Sequence, residues 1–188
     1  MESDSMMEVT MIRLAPVQRG RTGRCLVALL CVALLVLATT AWGLESGDRA
    51  PTFSAPSLDG AGNLSLSAYR GKVIYLDFWA SWCAPCLVSL PLLEELRTEF
   101  PGEDFQILAV NVDEDPDKAR KFLSRISVQY PSATDPDGRI PEIFGIETMP
   151  TSFIIDRQGV IRHVQNGFRK SELDELRSRI QKLVGSGA

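Results

Sequence analysis

The chain has 188 residues, of which 45% are apolar and 23% charged, and these proportions are typical of a globular domain. Its formal charge of −4 at pH 7 argues against a nucleic-acid-binding surface, so we expect no nucleic-acid partner. The length is sufficient for one domain and an appendage.

Residues 1–44 have the pattern of an export signal rather than of a folded domain. Four arginines lie between residues 13 and 24, and an uncharged, mostly apolar run then continues through Leu44. This pattern predicts a cleaved signal peptide or an N-terminal membrane anchor, and the short apolar core favours cleavage. In both cases residues 45–188, predicted to form one domain, lie outside the cytoplasm. In a Gram-negative bacterium that compartment is the periplasm.

The domain is predicted to open with a β-hairpin. Pro51–Pro56 is extended, since two prolines disfavour a central strand, and a turn rich in Gly, Asp and Asn precedes a strand at Leu64–Leu66. Val73–Trp79 is apolar, β-branched and aromatic, as expected of a buried central strand. Leucines at positions 87, 90, 93 and 96 recur at helical spacing, so a helix follows this strand after Cys83.

The rest of the domain continues this alternation. Phe105–Val112 is a second apolar strand, and Asp115 caps a helix whose apolar stripe extends to Ile126. The strand–helix–strand order predicts a parallel, right-handed unit. Pro131–Phe144 is rich in turn residues, with a short helix near its end. The last elements are two antiparallel strands, Ser152–Ile155 and Val160–Val164, and an amphipathic helix. This helix starts with a capping box at Ser171 and ends at Gly185.

Cys83 and Cys86 are the only cysteines of residues 45–188. At the start of a helix, unpaired backbone N–H groups and the helix dipole lower the pKa of the Cys83 thiol and favour its reactive thiolate. Cys86 lies one turn later on the same face, so the pair predicts two-step thiol–disulfide exchange through a redox-active disulfide, without another cofactor. Ala84 and Pro85 offer no side-chain hydrogen bond to sulfur, and Pro85 fixes the first turn of the helix.

Two other interpretations of the cysteine pair remain. A structural zinc site needs four ligands, but Cys25 and Cys31 lie in the N-terminal apolar run and His163 is the only histidine, so no metal is expected. A disulfide with a purely structural role is disfavoured by the helix start, which promotes reactivity.

The sequence DFWASWCAPC over residues 77–86 resembles the active-site segment of the thioredoxins. Asp77 matches the family's buried acid, Trp82 the tryptophan before the first cysteine, and Pro91 the proline within the first helix. From about Gly47 onward the chain is similar to the extracytoplasmic TlpA/ResA/CcmG-like branch, and its opening residues also resemble the AhpC/TSA peroxiredoxins. The resemblance implies an α/β thioredoxin fold, with a mixed central sheet flanked by helices, an N-terminal β-hairpin and a central insertion over residues 113–147.

The resemblance gives Asp77 a catalytic role. It is the single acid in an apolar strand, and a buried carboxyl without partners has a raised pKa. In the functional interpretation Asp77 takes the proton from Cys86 during the second exchange step. In the alternative interpretation it is a paired, structural acid.

The resemblance also implies a substrate-binding surface. Met149-Pro150 corresponds to the family's cis-proline loop, so Thr148, Met149 and Pro150 are expected to contact the substrate. Trp82 is either a docking surface beside them or a core aromatic residue. Glu114 aligns with an acid near the active site of some cytochrome-maturation members, although Asp113 stands where a glycine is common. His163 is expected to be structural.

Together these features predict an exported thiol–disulfide oxidoreductase that reduces disulfides in other extracytoplasmic proteins. By resemblance, apocytochrome c with its own C-x-x-C is the leading substrate. A membrane thiol carrier is the expected electron donor, since the chain has no G-x-G-x-x-G motif. A peroxiredoxin is one alternative, although the P-x-x-x-T-x-x-C pattern is missing before Cys83. A Sco-like copper-binding maturation protein is another, although that class uses C-x-x-x-C and a distant histidine.

Overall fold

The computed structural model describes residues 43–102 and 104–186. The predicted signal or anchor segment, with Cys25 and Cys31, lies outside these residues. Within them, none of the helices combines the length and the apolar character needed to cross a bilayer.

Seven strands and four α-helices form the described part of the chain. The strands are β1 (Ser54–Pro56), β2 (Asn63–Ser65), β3 (Val73–Trp79), β4 (Phe105–Asn111), β5 (Ser132–Thr134), β6 (Thr151–Ile155) and β7 (Ile161–Asn166). The helices are α1 (Ala84–Glu99), α2 (Pro116–Leu123), α3 (Arg139–Ile143) and α4 (Leu173–Gly185). Two short 3₁₀ turns precede β3 and α4, at Leu66–Tyr69 and Lys170–Glu172.

A mixed five-stranded sheet lies at the centre, with strand order β5-β4-β3-β6-β7. Strand β3 is parallel to β4 and antiparallel to β6, and β5 continues the parallel side. Strands β1 and β2 form a separate antiparallel hairpin. This is the mixed sheet with an N-terminal hairpin that the resemblance implies.

Strand β3 separates two apolar cores. All seven of its residues are buried, and its side chains alternate between the two faces of the sheet. Tyr75 and Trp79 belong to the core that contains both cysteines and the buried leucines of α1. Ile74, Leu76 and Phe78 pack in the opposite core, against the hairpin and α3. The continuous apolar character of β3 therefore reflects burial on both faces.

The structure differs from the sequence-based elements in three places. Pro131–Phe144 contains strand β5, because Ser132–Thr134 pairs with the outer edge of β4. Helix α2 ends at Leu123, before Ile126. No capping box forms at Ser171, since a 3₁₀ turn precedes α4 and Glu172 occupies the N-cap without a side-chain hydrogen bond.

Candidate active site

The two cysteines lie where β3 passes through a short turn into α1. Cys83 is the N-cap residue, and its Sγ accepts a hydrogen bond from the backbone N–H of Cys86 at 3.3 Å. The two Sγ atoms form a disulfide with an S–S distance of 2.02 Å. Cys83 retains 5% of its surface exposed and Cys86 none. Cys83 is therefore the sulfur that an external disulfide reaches first.

The Asp77 carboxyl is buried in the apolar core beneath this pair. Asp77 lies between Ala109 of β4 and Ser152 of β6, and it shares a sheet face with Tyr75 and Trp79. Within the described residues, its Oδ2 is buried without a hydrogen-bond partner. Desolvation therefore raises the pKa of Asp77 to about 8. An acid of this kind can hold or release a proton near neutral pH.

Two buried tyrosines locate this carboxyl relative to α1. Burial raises the pKa of both Tyr75 and Tyr130, and the negative charge on Asp77 is the second largest cause. Tyr130 donates a hydrogen bond to the carbonyl oxygen of Leu90 at 3.1 Å, and Leu90 follows Cys86 by about one turn. Asp77 thus lies on the side of the sheet that α1 covers, as the proton-transfer role requires.

A second carboxyl group lies beside the turn that leads to Cys83. Asp113 is 1% exposed. Its Oδ2 accepts a hydrogen bond from the Ser81 backbone N–H at 2.9 Å and its Oδ1 one from Ser81 Oγ at 2.9 Å. Asn111 Nδ2 donates to Asp113 Oδ2 at 2.8 Å, and the Asp113 N–H returns a bond to Asn111 Oδ1 at 3.2 Å. These bonds join the carboxyl ends of β3 and β4.

Asp113 is a candidate site residue that the sequence does not predict. Glu114 is the predicted acid of this loop, but its side chain is exposed, whereas the preceding residue is buried in the hydrogen-bond network. The sequence signal for Asp113 is its position immediately after an apolar strand that ends in Asn111. In parallel sheets, the carboxyl ends of neighbouring strands form the usual position of a site.

An apolar surface surrounds the disulfide. The indole of Trp82 is 66% exposed, so the interpretation as a core aromatic is wrong. Ala84 and Pro85 are exposed next to it, and Val88 extends the same surface along α1 at 56% exposure. Large exposed apolar side chains next to a reactive group are typical of a contact surface for another molecule.

The loop before β6 completes the site. The Met149–Pro150 peptide bond is cis, as the resemblance implies. Met149 is partly buried against the core that contains Cys83 and Cys86. Thr148 is exposed, and its carbonyl oxygen accepts a hydrogen bond from Thr151 Oγ1 at 2.8 Å. The predicted substrate contacts of Thr148, Met149 and Pro150 stay predictions.

His163 lies apart from this site. It is partly buried on β7, where it lines a cavity with Glu175 and Arg179 of α4. Burial lowers the pKa of His163, and the positive charge on Arg179 is the second largest cause. This position agrees with a structural role for His163.

Comparison with known proteins identifies the family. Residues 45–180 match the redoxin family. ResA, a thiol-disulfide oxidoreductase of Bacillus thuringiensis, is 32% identical over 138 residues, which cover 73% of this chain and 79% of ResA. The Geobacillus thermodenitrificans ResA is 33% identical over 126 residues, which cover 67% of this chain and 72% of that protein.

Solved structures give the same assignment. A Chlorobium tepidum protein assigned as the thiol:disulfide interchange protein DsbE superposes with a TM-score of 0.72 at 39% identity, covering 76% of this chain and 99% of that one. A protein from Bacteroides thetaiotaomicron assigned as a protein disulfide isomerase superposes with a TM-score of 0.70 at 28% identity. The match covers 79% of this chain and 96% of that one. The thioredoxin fold is thereby confirmed. The chain belongs to the redoxin family, within the thioredoxin superfamily, and is a thiol-disulfide oxidoreductase of the TlpA/ResA/CcmG-like branch.

Proposed function

We propose that this oxidoreductase acts outside the cytoplasm as a reductant of protein disulfides, and that apocytochrome c is its leading substrate class. The observation that carries the proposal is the pairing of a slightly exposed Cys83 at the start of α1 with a buried Asp77 carboxyl, whose Oδ2 has no hydrogen-bond partner, on the face of β3 that α1 covers. This arrangement separates the sulfur that attacks the substrate from the group that handles the proton of the second step.

The first step is attack by the Cys83 thiolate on one sulfur of a substrate disulfide. A mixed disulfide forms between Cys83 and the substrate, and the other substrate sulfur leaves as a thiolate. The free N–H groups at the start of α1 stabilise the attacking thiolate. Exposed Trp82 and the Thr148–Pro150 loop are the surfaces that we expect the substrate chain to contact.

The second step releases the reduced substrate. Cys86 loses its proton and attacks Cys83 Sγ, which re-forms the Cys83–Cys86 disulfide and expels the second substrate sulfur as a thiolate. Two electrons pass from the protein dithiol to the substrate disulfide. The thiol of Cys86 is fully buried, so it needs a nearby base, and the Asp77 carboxylate is the acceptor. A pKa of about 8 for Asp77 is close to that of a free thiol, so Asp77 is a much better proton acceptor for Cys86 than an ordinary carboxylate would be.

The charges near the cysteines favour donation of electrons. From Val73 to Leu96 the sequence contains no Lys, Arg or His, so no cation from β3 or from the first three turns of α1 stabilises the Cys83 thiolate. Strong oxidants of this fold owe their potential to a stabilised reduced form. A dithiol whose thiolate is stabilised by the helix start alone has a less stable reduced form, so it donates electrons more readily.

The expected partners follow from this chemistry. A membrane thiol carrier supplies electrons to the oxidised pair, and the substrate is a protein with a disulfide or a C-x-x-C motif. The apolar run that ends at Leu44 either exports the domain or tethers it to the membrane. In a Gram-negative source the domain is then periplasmic.

The test is transfer of electrons to an oxidised C-x-x-C-H peptide, the haem-attachment sequence of c-type cytochromes. The reduced full chain is mixed with the peptide, and both redox states are quantified by acid quenching and mass spectrometry. We expect one peptide disulfide to be lost for each Cys83–Cys86 disulfide formed, and no transfer by the Cys83→Ser variant.

Two results would contradict the proposal. Net oxidation of the reduced peptide by the protein disulfide at equilibrium would reverse the direction of electron flow. Equal rates for the peptide and for insulin disulfides would remove the preference for apocytochrome c.

A further inference from the structure

We propose that Asp113 is a positioning residue of the dithiol site, which holds the turn before Cys83 and keeps a fixed negative charge beside that thiol. This inference rests on the proposed role of Cys83 as the nucleophile. It assigns the acid of this loop to Asp113 in place of the exposed Glu114.

The Asp113 carboxylate is built into the structure rather than solvated. The carboxylate is buried, and it accepts hydrogen bonds from three groups: the N–H and Oγ of Ser81 and the Nδ2 of Asn111. Both carboxylate oxygens therefore act as acceptors, which suits the ionised form. No Lys, Arg or His forms an ion pair with Asp113 among residues 43–102 and 104–186. Its charge is consequently not cancelled by a neighbouring cation.

These hydrogen bonds fix the only three residues between β3 and Cys83. The backbone N–H of Val112 donates to the carbonyl oxygen of Trp79 at 3.0 Å, which ties the two strand ends together. Asp113 holds Ser81 by its main chain and its side chain. The Cys83 N–H then donates to the carbonyl oxygen of Ala80 at 3.1 Å, which closes the turn. The placement of Cys83 at the N-cap of α1 thus depends on a carboxylate from the neighbouring strand.

The same carboxylate opposes the effect of the helix start on Cys83. Ser81 precedes Cys83 by two residues, so the Asp113 charge lies roughly 6–10 Å from the sulfur. A negative charge at this distance disfavours a thiolate.

The segments around Cys83 contribute other acids but no cation. Asp77 lies on β3, exposed Glu114 and Asp115 follow Asp113, and Glu147 precedes the loop before β6. The first turn of α1 carries no acidic residue. Residues 73–96, 111–117 and 146–155 contain no Lys, Arg or His. Of these acids, Asp113 is the one hydrogen-bonded to the Cys83 turn.

Three variants of the full chain separate position from charge. Asp113→Asn removes the charge and retains the size of the side chain. Ser81→Ala removes the hydroxyl bond to Asp113 and retains the charge. Asp115→Asn is the matched control, because Asp115 is an exposed acid on the same loop and Asn caps helix α2 as well as Asp does.

The measurement is the pH dependence of the alkylation rate of Cys83 in each reduced variant, with peptide mapping to distinguish Cys83 from the other cysteines. For Asp113→Asn we expect the midpoint to fall by about 0.5–1.5 pH units. For Ser81→Ala we expect an unchanged midpoint and an exchange rate with a peptide disulfide that is about 3–10-fold lower, the loss of one buried hydrogen bond. Asp115→Asn should match the wild type in both readouts.

An Asp113→Asn midpoint equal to that of the wild type would overturn the electrostatic part of the proposal. Should that variant not fold, Ser81→Ala decides, and a wild-type exchange rate there would overturn the positioning role. Faster alkylation of Cys86 than of Cys83 in the wild type would instead contradict the proposed function itself.

Discussion

Cys83 and Cys86 are the same residue type three positions apart, but their surroundings give them different chemistry. Cys83 caps α1 and keeps a small exposed area, whereas Cys86 lies within the first turn and is fully buried. A buried thiol resists ionisation, because the thiolate loses its hydration. The proton of Cys86 therefore needs an acceptor inside the protein, and Asp77 is the carboxyl on the strand below.

We predict that Asp77→Asn slows resolution of the mixed disulfide more than its formation. Formation needs only the Cys83 thiolate, which the helix start already favours. Resolution needs deprotonation of Cys86, and loss of a general base typically lowers a rate by about 10²–10⁴-fold. Stopped-flow reduction of a fluorescent peptide disulfide by the full chain resolves the two phases at pH 7.

The control for this kinetic prediction is Asp115→Asn, which makes the same chemical change at an exposed position. It should leave both phases unchanged. If Asp77→Asn slowed both phases equally, or left the decay of the mixed disulfide at its wild-type rate, Asp77 would be a structural acid.

The raised pKa of Asp77 also predicts how stability depends on pH. Asp titrates near 3.9 in an unfolded chain and at about 8 here, so between these values the folded state holds a proton that the unfolded state has lost. The free energy of unfolding of the oxidised protein then falls as pH rises from about 4 to about 8, by at most about 1.4 kcal/mol per pH unit. Asp77→Asn removes this contribution.

Urea denaturation at pH 5 and pH 8 checks this prediction. The Asp77→Asn variant should gain stability relative to the wild type on going from pH 5 to pH 8, whereas Asp115→Asn should not. A difference between Asp77→Asn and wild type that is the same at both pH values would show that the carboxyl does not titrate in this range.

At the scale of the elements, the strands and helices with a strong apolar pattern are predictable from the sequence. Strand β3 is a continuous apolar segment, and α1 has leucines at helical spacing, so both are located correctly. Strand β5 has three small or polar residues, Ser132–Thr134, and it is a strand only because β4 offers an unpaired edge. Its pairing is a tertiary effect that no local pattern contains.

The end of α4 depends on another tertiary contact. The guanidinium of Arg157, in the turn between β6 and β7, donates to the carbonyl oxygens of Leu183 and Val184 at 2.7 and 3.1 Å. These carbonyls lie in the last turn of the helix, where partners from the helix backbone run out. The carbonyl oxygen of Leu183 also accepts a hydrogen bond from Ser186 Oγ at 3.1 Å. The side chain of Arg157 is only 18% exposed, so solvent replaces these bonds poorly.

We predict that Arg157→Ala lowers the free energy of unfolding by about 2–3 kcal/mol, since it removes hydrogen bonds from a charged donor. Arg179→Ala is the control, because its pair with Glu175 is an exposed contact within one helix and contributes little to stability. Equilibrium urea denaturation measures both. Equal losses in the two variants would contradict the special role of Arg157.

At the scale of the whole molecule, the site combines three segments that are distant in the sequence. The start of α1 carries the cysteines, the loop after β4 carries Asp113, and the loop before β6 carries the cis Met149–Pro150 bond. These segments meet because β3 lies between β4 and β6 in the sheet. One end of the sheet thereby carries both the disulfide and the proposed contact surface.

This assembly explains which site residues are predictable. Cys83, Cys86 and Asp77 lie within one continuous motif, so their resemblance to the thioredoxin segment identifies them directly. Asp113 has no such motif, and its importance comes from bonds to Ser81 that exist only when β3 and β4 are adjacent. The resemblance within the loop therefore favours Glu114, while the hydrogen bonds to Ser81 are the reason that we propose Asp113.

In the proposed mechanism, Cys83 attacks the substrate and Cys86 resolves the mixed disulfide. The most direct test of this mechanism is intact-mass analysis and peptide mapping of the reduced Cys86→Ser full chain after mixing with an oxidised C-x-x-C-H peptide. We predict that acid quenching traps an adduct of one peptide on Cys83, and no such adduct on Cys86 in the Cys83→Ser variant. An adduct on Cys86 that forms as fast in Cys83→Ser as the adduct on Cys83 forms in Cys86→Ser would contradict the account.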